Sequence, residues 1–384
     1  LNYFGNDGSR MDTLEKILDY YTPDLFMVQE IKNSSGFQEI VAAMNNVSDD
    51  IYLGGTWAPQ ISNPGSSNPL QQNIVYNTRV LGLSFETFYT TNIRDINYFK
   101  LFLKSAELEA GGDTTFVHVY SVHFKSSQGF TNEQKRLAMA ETSKDAMNLL
   151  PPDSYILFGG DFNVYRSTEP AYQKLLEPGL NYQLIDPIDM PGEWTESSFP
   201  NKEIMTQSTR LSPLSDGAGG GMDDRFDFVM HSDNLHQGNA DLRFVEGSYD
   251  ALGNNGSCFN QDLINCTTTD NVPAEIISAL YYFSDHLPVV FSMTSDFAVS
   301  TGEPIVLDDW RVFPNPTSGR VTIETQAANS AMLIVFDGLG RQVLAQEVAG
   351  TTTIDLSRFS PGMYHISLIG ENGPQVLERV VLQP

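Results

Sequence analysis

The chain has 384 residues, 41% of them hydrophobic and 18% charged. That composition is globular and long enough for two domains, and it excludes wholesale disorder. Asp plus Glu number 48 against 22 Lys plus Arg, a formal net charge of −26; this excludes nucleic-acid binding through a broad basic surface, since counterion release needs clustered cations, but it leaves open an enzyme that meets phosphate through a bound metal.

The chain opens at Leu1 with neither Met nor a leader pattern, so it reads as a processed product or a fragment whose signal peptide lies outside it. Residues 12–21 read as an amphipathic helix, with Leu14, Ile17, Leu18 and Tyr21 on one stripe. Thr22-Pro23-Asp24 breaks it, and 25–28 is an apolar strand. A helix follows around 37–44, then a Ser/Asn/Pro/Gly loop over 62–69. Strands are expected at 73–76 and 115–124, a helix at 132–150 ended by Pro151-Pro152, and a short strand at 155–158. Residues 216–221 form a glycine loop without the Gly-Lys-Ser/Thr ending of a phosphate cradle, so it takes no nucleotide role. Further strands are expected at 225–230 and 287–293. Cys258 and Cys266, the only cysteines, suit either one small disulfide loop made in an oxidising compartment or two unpaired thiols.

This mixture indicates a layered α/β domain over 1–296. Thr301-Gly302-Glu303-Pro304 marks a linker over 297–307. Over 308–384 the strands are short and alternating, such as 321–323 and 333–336, with the turn Asp337-Gly338 between; this indicates a small all-β sandwich. No window approaches the roughly 18 uninterrupted apolar residues of a membrane span, so no stable membrane insertion is expected.

The sharpest chemical signal is Tyr155-Ile-Leu-Phe-Gly-Gly-Asp161-Phe-Asn163. A strand ends in two glycines, and alternation sends Asp161 and Asn163 to one side. A carboxylate beside an amide there suits a hard cation and a phosphate oxygen; the plain alternative is an Asx-turn. Glu30, at the exit of the strand over 25–28, is either a metal ligand or a solvated carboxylate. On the strand over 115–124, His118 lies mid-strand and reads as structural. His123 lies near the strand end with Lys125 just beyond, where loops build sites; a protonated His and a Lys there would hold a phosphate anion. Arg225 and Asp227 share a face of their strand. A buried Asp needs a hydrogen-bonded partner, and Ser284-Asp285-His286 supplies one. An Asp that holds an imidazole in one tautomer makes it a general base able to activate water; otherwise such a pair is a surface turn.

In this order, Gln29-Glu30, Val122-His123, Gly160-Asp161-Phe162-Asn163, Arg225-Phe226-Asp227 and Ser284-Asp285-His286 resemble the endonuclease/exonuclease/phosphatase superfamily. The resemblance covers about residues 1–296 and implies a deoxyribonuclease-I-like four-layer α/β sandwich. It implies Mg²⁺, with Mn²⁺ as a substitute, held by Glu30 with Asp285 as a further ligand. It makes Asp161 and Asn163 the residues that position the nucleophilic water and the phosphate. His286, oriented by Asp227, becomes the base, and His123 binds the phosphate or protonates the leaving oxygen. Lys125 and Arg225 are the substrate contacts. The family's first strand ends in a metal-site Asn. Leu1-Asn2-Tyr3-Phe4 resembles the residues just after it in secreted bacterial members, so Asn2 is not carried over as a ligand.

The tail carries a second resemblance. Arg311-Val-Phe-Pro-Asn-Pro-Thr-Ser-Gly, Phe336-Asp-Gly-Leu-Gly-Arg-Gln-Val and Pro361-Gly-Met-Tyr are similar to the C-terminal sorting domain of the type IX secretion system. This implies interaction with that machinery and export across the outer membrane of a Bacteroidetes-type bacterium. The expectation is therefore a secreted, monomeric, Mg²⁺-dependent phosphodiesterase, a nuclease acting on DNA or RNA. One alternative is a sphingomyelinase-like phospholipid phosphodiesterase, which needs an exposed apolar hairpin; residues 85–102, with Phe88, Tyr89, Tyr98, Phe99 and Phe102, are either that hairpin or core. The other is a catalytically inactive surface-binding protein: intact Glu30, Asp161 and His286 argue against it, the absent first strand for it.

Overall fold

The computed structural model describes residues 10–105, 108, 114–214, 217–236, 241–266, 272–295, 310–325, 331–337, 342–348, 350–370 and 373–383. Leu1 to Phe4, Asp216 of the glycine loop and the linker over 297–307 lie outside them.

In chain order the larger region holds helix α1 (Met11–Tyr20), strand β1 (Leu25–Ile31), helix α2 (Ser34–Val47), and strands β2 (Tyr52–Gly54), β3 (Gln71–Asn77), β4 (Leu81–Tyr89), β5 (Ile96–Leu103) and β6 (Phe116–His123). Helix α3 (Phe130–Met147), strand β7 (Tyr155–Asp161), helix α4 (Pro170–Leu176) and strands β8 (Leu184–Ile185), β9 (Asp227–Ser232), β10 (Leu242–Phe244) and β11 (Asp250–Ala251) follow. Helix α5 (Ala274–Phe283) and strands β12 (Val289–Val290) and β13 (Met293–Ser295) complete it.

Two sheets organise this region, one ordered β4-β5-β6-β7-β9-β8 and the other β1-β3-β2. They meet face to face. Gln29 Nε2 of β1 donates to Ser121 Oγ of β6 at 3.2 Å, and a Cβ on Gly159 of β7 would lie 3.0 Å from Met27 Sδ of β1. Helices cover the outer faces: α2 lies on β2, and Tyr172 of α4 packs on Phe228 of β9 with ring centroids 5.9 Å apart. The result is a helix–sheet–sheet–helix α/β sandwich. Sequence follows from position. β7, covered on both faces, is a continuous apolar run, whereas α1 buries only the stripe Leu14, Ile17 and Leu18.

Three expectations change. The strand expected over 225–230 begins at Asp227. Residues 287–293 do not form one strand: β12 pairs with β11 and β13 with β10, giving two separate ribbons. Residues 85–102 span the end of β4, a turn and most of β5; Tyr98, Phe99 and Phe102 are buried and belong to the core, whereas Phe88 and Tyr89 at the end of β4 are half-buried. Among the described residues no helix is long and apolar enough to cross a membrane. Cys258 and Cys266 are joined in a disulfide.

The C-terminal region is all β: β14 (Trp310–Phe313), β15 (Arg320–Thr325), β16 (Ala331–Asp337), β17 (Gln342–Val348), β18 (Thr352–Asp355), β19 (Gly362–Gly370) and β20 (Gly373–Leu382). Sheets β14-β15-β18 and β17-β16-β19-β20 share one core, with Val321, Ile323 and Ile354 from the first and Leu333, Val335, Ile366 and Val380 from the second. The alternation shows in β15, where Val321 and Ile323 point inward while Thr322 meets Thr353 at the exposed face, 3.1 Å between hydroxyls.

Candidate active site

Glu30 owes its placement to an irregularity in β1. The pairing register with β3 shifts between Val28 and Ile31, and Glu30 takes φ 63°. A bulge re-aims the side chain it carries, and a left-handed Glu is a strained residue of the kind that collects at functional sites. The Glu30 carboxylate comes within 3.9 Å of His123 Nε2, at the end of β6.

His123 Nε2 also lies 3.3 Å from Asp161 Oδ2, at the end of β7. The close approach of these strand ends depends on Gly160, which takes φ +140° and whose Cβ would fall 1.9 Å from the Val122 carbonyl oxygen. Asn163 is not on the strand. It takes φ 51°, and its backbone N–H donates to Asp161 Oδ1 at 2.9 Å, with Nδ2 3.4 Å from the Phe124 carbonyl oxygen. An Asx-turn, not strand alternation, therefore brings Asn163 beside Asp161. Burial, together with the Asp227 and Glu30 carboxylates, pushes Asp161 up to about 7 against the pull of His286 and Arg94. Burial, reinforced by Arg94, His286 and Lys125, holds His123 well below the ordinary histidine range. That direction works against the protonated imidazole expected here.

Asp227 opens β9 directly opposite Asp161 in the β7–β9 register. Its Oδ2 accepts from His286 Nδ1 at 2.7 Å, which leaves Nε2 on the side of the ring away from that bond. There Gln207 Nε2 covers it at 2.6 Å while also donating to Asp285 Oδ2 at 3.1 Å. Burial disfavours charge on His286, but Asp227, Asp285 and Asp161 outweigh it and push the imidazole up to about 10. Asp285 Oδ2 accepts a further bond from the Ala218 N–H at 2.6 Å, and Oδ1 is buried without a hydrogen-bond partner among the described residues. Burial raises Asp285, yet His286 and the Ala218 N–H leave it below the usual carboxylate range.

The two expected substrate contacts fare differently. Lys125 lies just past β6, half-buried, with Nζ 2.7 Å from the Ser126 carbonyl oxygen. Arg225 is not a substrate contact. It is 1% exposed, its two terminal nitrogens each donate to an Asp186 oxygen at 2.8 Å, and its guanidinium lies over Phe228. Three residues that carried no sequence signal join the site instead. Gln207 covers His286. Arg94 donates to the Phe124 carbonyl at 2.8 Å and acts on both His123 and Asp161. Asp224 is pushed up to about 7 by burial and Asp223, with His286 pulling it down and Asp161 adding to the rise. His118 is structural, its Nδ1 2.7 Å from the Tyr98 hydroxyl.

A Mg²⁺-like ion needs only one or two protein carboxylates, its other positions being filled by water and phosphate oxygens. Among the described residues no three His, Cys, Asp or Glu side chains draw together as a closed metal cage. Glu30, re-aimed by its bulge, and the unpartnered Asp285 Oδ1 are hard oxygen donors of the right chemistry for that sparse mode.

Residues 311–383 match the secretion system C-terminal sorting domain family. The tail is a sorting domain. It marks the chain for export to the cell surface or beyond by the type IX system, and for contact with that machinery. No curated protein matches the chain in sequence. Among solved structures it is similar to the human Nocturnin catalytic domain with bound sulfate anion, at 15% identity and TM-score 0.46 over 77% of this chain and 92% of that one. It is also similar to D. rerio TDP2 complexed with single strand DNA product, at 12% identity and TM-score 0.44 over 77% and 94%. An endonuclease/exonuclease/phosphatase from Beutenbergia cavernae matches at 12% identity and TM-score 0.41 over 97% and 94%. These are likenesses of chain course and assign no residue a role.

Proposed function

We propose that residues 1–296 are a divalent-metal-dependent phosphodiesterase of the endonuclease/exonuclease/phosphatase kind that hydrolyses DNA or RNA outside the cell, joined by the linker over 297–307 to the sorting domain over 308–384. The observation that carries this reading is the convergence of Glu30, His123, Asp161 and the Asp227–His286 pair, from five separate segments, on one polar spot.

Glu30, with Asp285, would hold Mg²⁺ or Mn²⁺. When bound, such an ion offsets charge on the phosphate and on the surrounding carboxylates, which also loosens the imidazole's hold on its proton. Asp227 keeps the proton of His286 on Nδ1, so Nε2 is the atom that takes a proton from water once Gln207 yields. Asp161, 3.3 Å from His123 Nε2 and bonded to the Asn163 N–H, would position the attacking water and the phosphate, with His123 beside it to bind the phosphate or serve the leaving oxygen. Asn163 keeps its carbonyl oxygen and second amide hydrogen for water and phosphate. The buried aromatics of β4 and β5 count against the phospholipid alternative.

A panel of plasmid DNA, RNA, sphingomyelin and a simple phosphodiester, each with Mg²⁺ or chelator, tests the reading. Nicking of plasmid or RNA cleavage is expected, abolished by chelation and restored by Mg²⁺ or Mn²⁺. Sphingomyelin turnover without cleavage of nucleic acid would move the assignment to the lipid alternative.

A further inference from the structure

A cavity of about 260 Å³ opens between the start of α2 and the end of β2. Ser34, Phe37, Gln38 and Val41 line it from α2 at helical spacing, and Trp57 lines it from beyond β2. Its floor depends on Gly54, where a Cβ would lie 2.5 Å from the Phe37 ring and 3.0 Å from Val41 Cγ2. The Trp57 and Phe37 rings are 6.2 Å apart at 33°, a partly open aromatic wall. The segment before Trp57 is held by Asn73 Nδ2, which donates to the carbonyls of Gly55 and Thr56 at 3.3 and 3.4 Å. Among the described residues the Ser34 hydroxyl, the Gln38 amide and the Trp57 indole N–H make no hydrogen bond within the protein.

The lining therefore offers the aromatic faces of Trp57 and Phe37, an amide with both donor and acceptor, a hydroxyl and an indole donor, and no charge. That combination fits an uncharged planar heterocycle with donors and acceptors on its edge. The cavity also lies close to the candidate active site in the chain. Ser34 is four residues from Glu30, a span of at most about 14 Å, or roughly four stacked nucleotides. We propose that this cavity is a base-stacking subsite, which takes one unpaired nucleobase of a single-stranded substrate within about four nucleotides of the phosphate to be cleaved. The proposal rests on the nuclease reading and deepens it: the substrate is single-stranded or locally unpaired nucleic acid, gripped through a base on a chain whose net charge of −26 gives little general hold on phosphates.

The test uses the full chain in two arms. In chelator, where nothing is cleaved, a single-stranded oligonucleotide should quench Trp fluorescence in the wild type, and Trp57→Ala should lose that quenching. In Mg²⁺, Trp57→Ala should raise KM for the oligonucleotide about 5- to 100-fold, the scale of one lost base–aromatic stack, with kcat within about twofold. Gln38→Ala should raise KM less, and Trp57→Phe should stay near wild type. Oligonucleotides made abasic at single positions flanking the cleavage site need no variant; one such position should bring the wild type to the Trp57→Ala level. Wild-type KM and quenching in Trp57→Ala, with no sensitive abasic position, would overturn the subsite and leave the nuclease standing. A wild type that cleaves no nucleic acid would overturn the nuclease reading and the subsite with it.

Discussion

His286 is held from both ring nitrogens, by Asp227 at Nδ1 and by the Gln207 amide at Nε2. The first contact holds the ring by Nδ1 and the second covers Nε2, the nitrogen that faces away from Asp227. His286→Ala should lower kcat by at least ~10²-fold, the scale of lost general-base catalysis. Asp227→Asn should act in the same direction and by less, because an amide no longer fixes the Nδ1 proton; wild-type rates in Asp227→Asn beside a dead His286→Ala would detach the pair from catalysis. Arg225 makes the opposite case. Removing it leaves the Asp186 carboxylate buried, so Arg225→Leu should cost roughly 3–5 kcal/mol of stability while KM per folded molecule holds, measured by denaturant titration alongside kinetics. The sequence makes Asp227, Asp285 and His286 legible because the resemblance quotes them in order. It misplaces Arg225 because alternation was applied across a residue that precedes β9. Gln207, Arg94 and Asp224 carry no signal, since they lie in loops and turns whose partners are far away in sequence.

At the scale of elements, the site is built where strands end irregularly. β7 reads directly from sequence as an apolar run closed by Gly159-Gly160. The bulge in β1 does not, since a bulge exists only relative to the strand it pairs with, and β3 begins forty residues after Ile31 leaves β1. Helix α5 was also not legible: Ala274 to Phe283 is apolar nearly all round, without the stripe that marks a surface helix. Gly160 links β7 to the site, and it tests that link. With φ +140° and the Val122 carbonyl oxygen 1.9 Å from an added Cβ, Gly160→Ala must part β6 from β7. It should separate His123 from Asp161, lower activity by more than ~10-fold and cost about 1–3 kcal/mol of stability. Gly129, where an added Cβ meets nothing within 4 Å, provides the comparison. Equal effects of alanine at the two glycines would show that backbone strain alone, and not the β6–β7 approach, is being measured.

For the molecule as a whole, pH and salt act through different charges. His231 is fully buried on β9; burial, helped by His236, lowers it to about 4, against the Ser232 carbonyl, Asp186 and Asp233. The unfolded chain binds that proton near the ordinary histidine value, the folded chain only near 4. Its contribution is therefore complete above about pH 6.5 and is lost as pH falls from there toward 4, on the order of 3 kcal/mol in all. Melting temperatures from pH 7.5 down to about 4.5 should fall less steeply in His231→Phe than in the wild type; parallel slopes would mean His231 titrates alike folded and unfolded.

Salt tests the substrate from the outside. A net charge of −26 repels a polyanion over a distance set by the Debye length, about 30 Å at 0.01 M and about 10 Å at 0.1 M. Close to the site, Arg94 and Lys125 stand beside His123 as local cations. The long-range repulsion is screened first, because it acts across solvent; the short-range contacts and any metal bound at Glu30 yield only at higher salt. Plasmid nicking at fixed Mg²⁺ should therefore rise with NaCl from about 0.01 M, pass through a maximum, and fall toward 1 M. A nuclease that binds through counterion release from a basic face falls steadily over the same range. A steady fall here would mean that local cations, not net charge, govern the encounter, and Arg94→Gln should then flatten the slope.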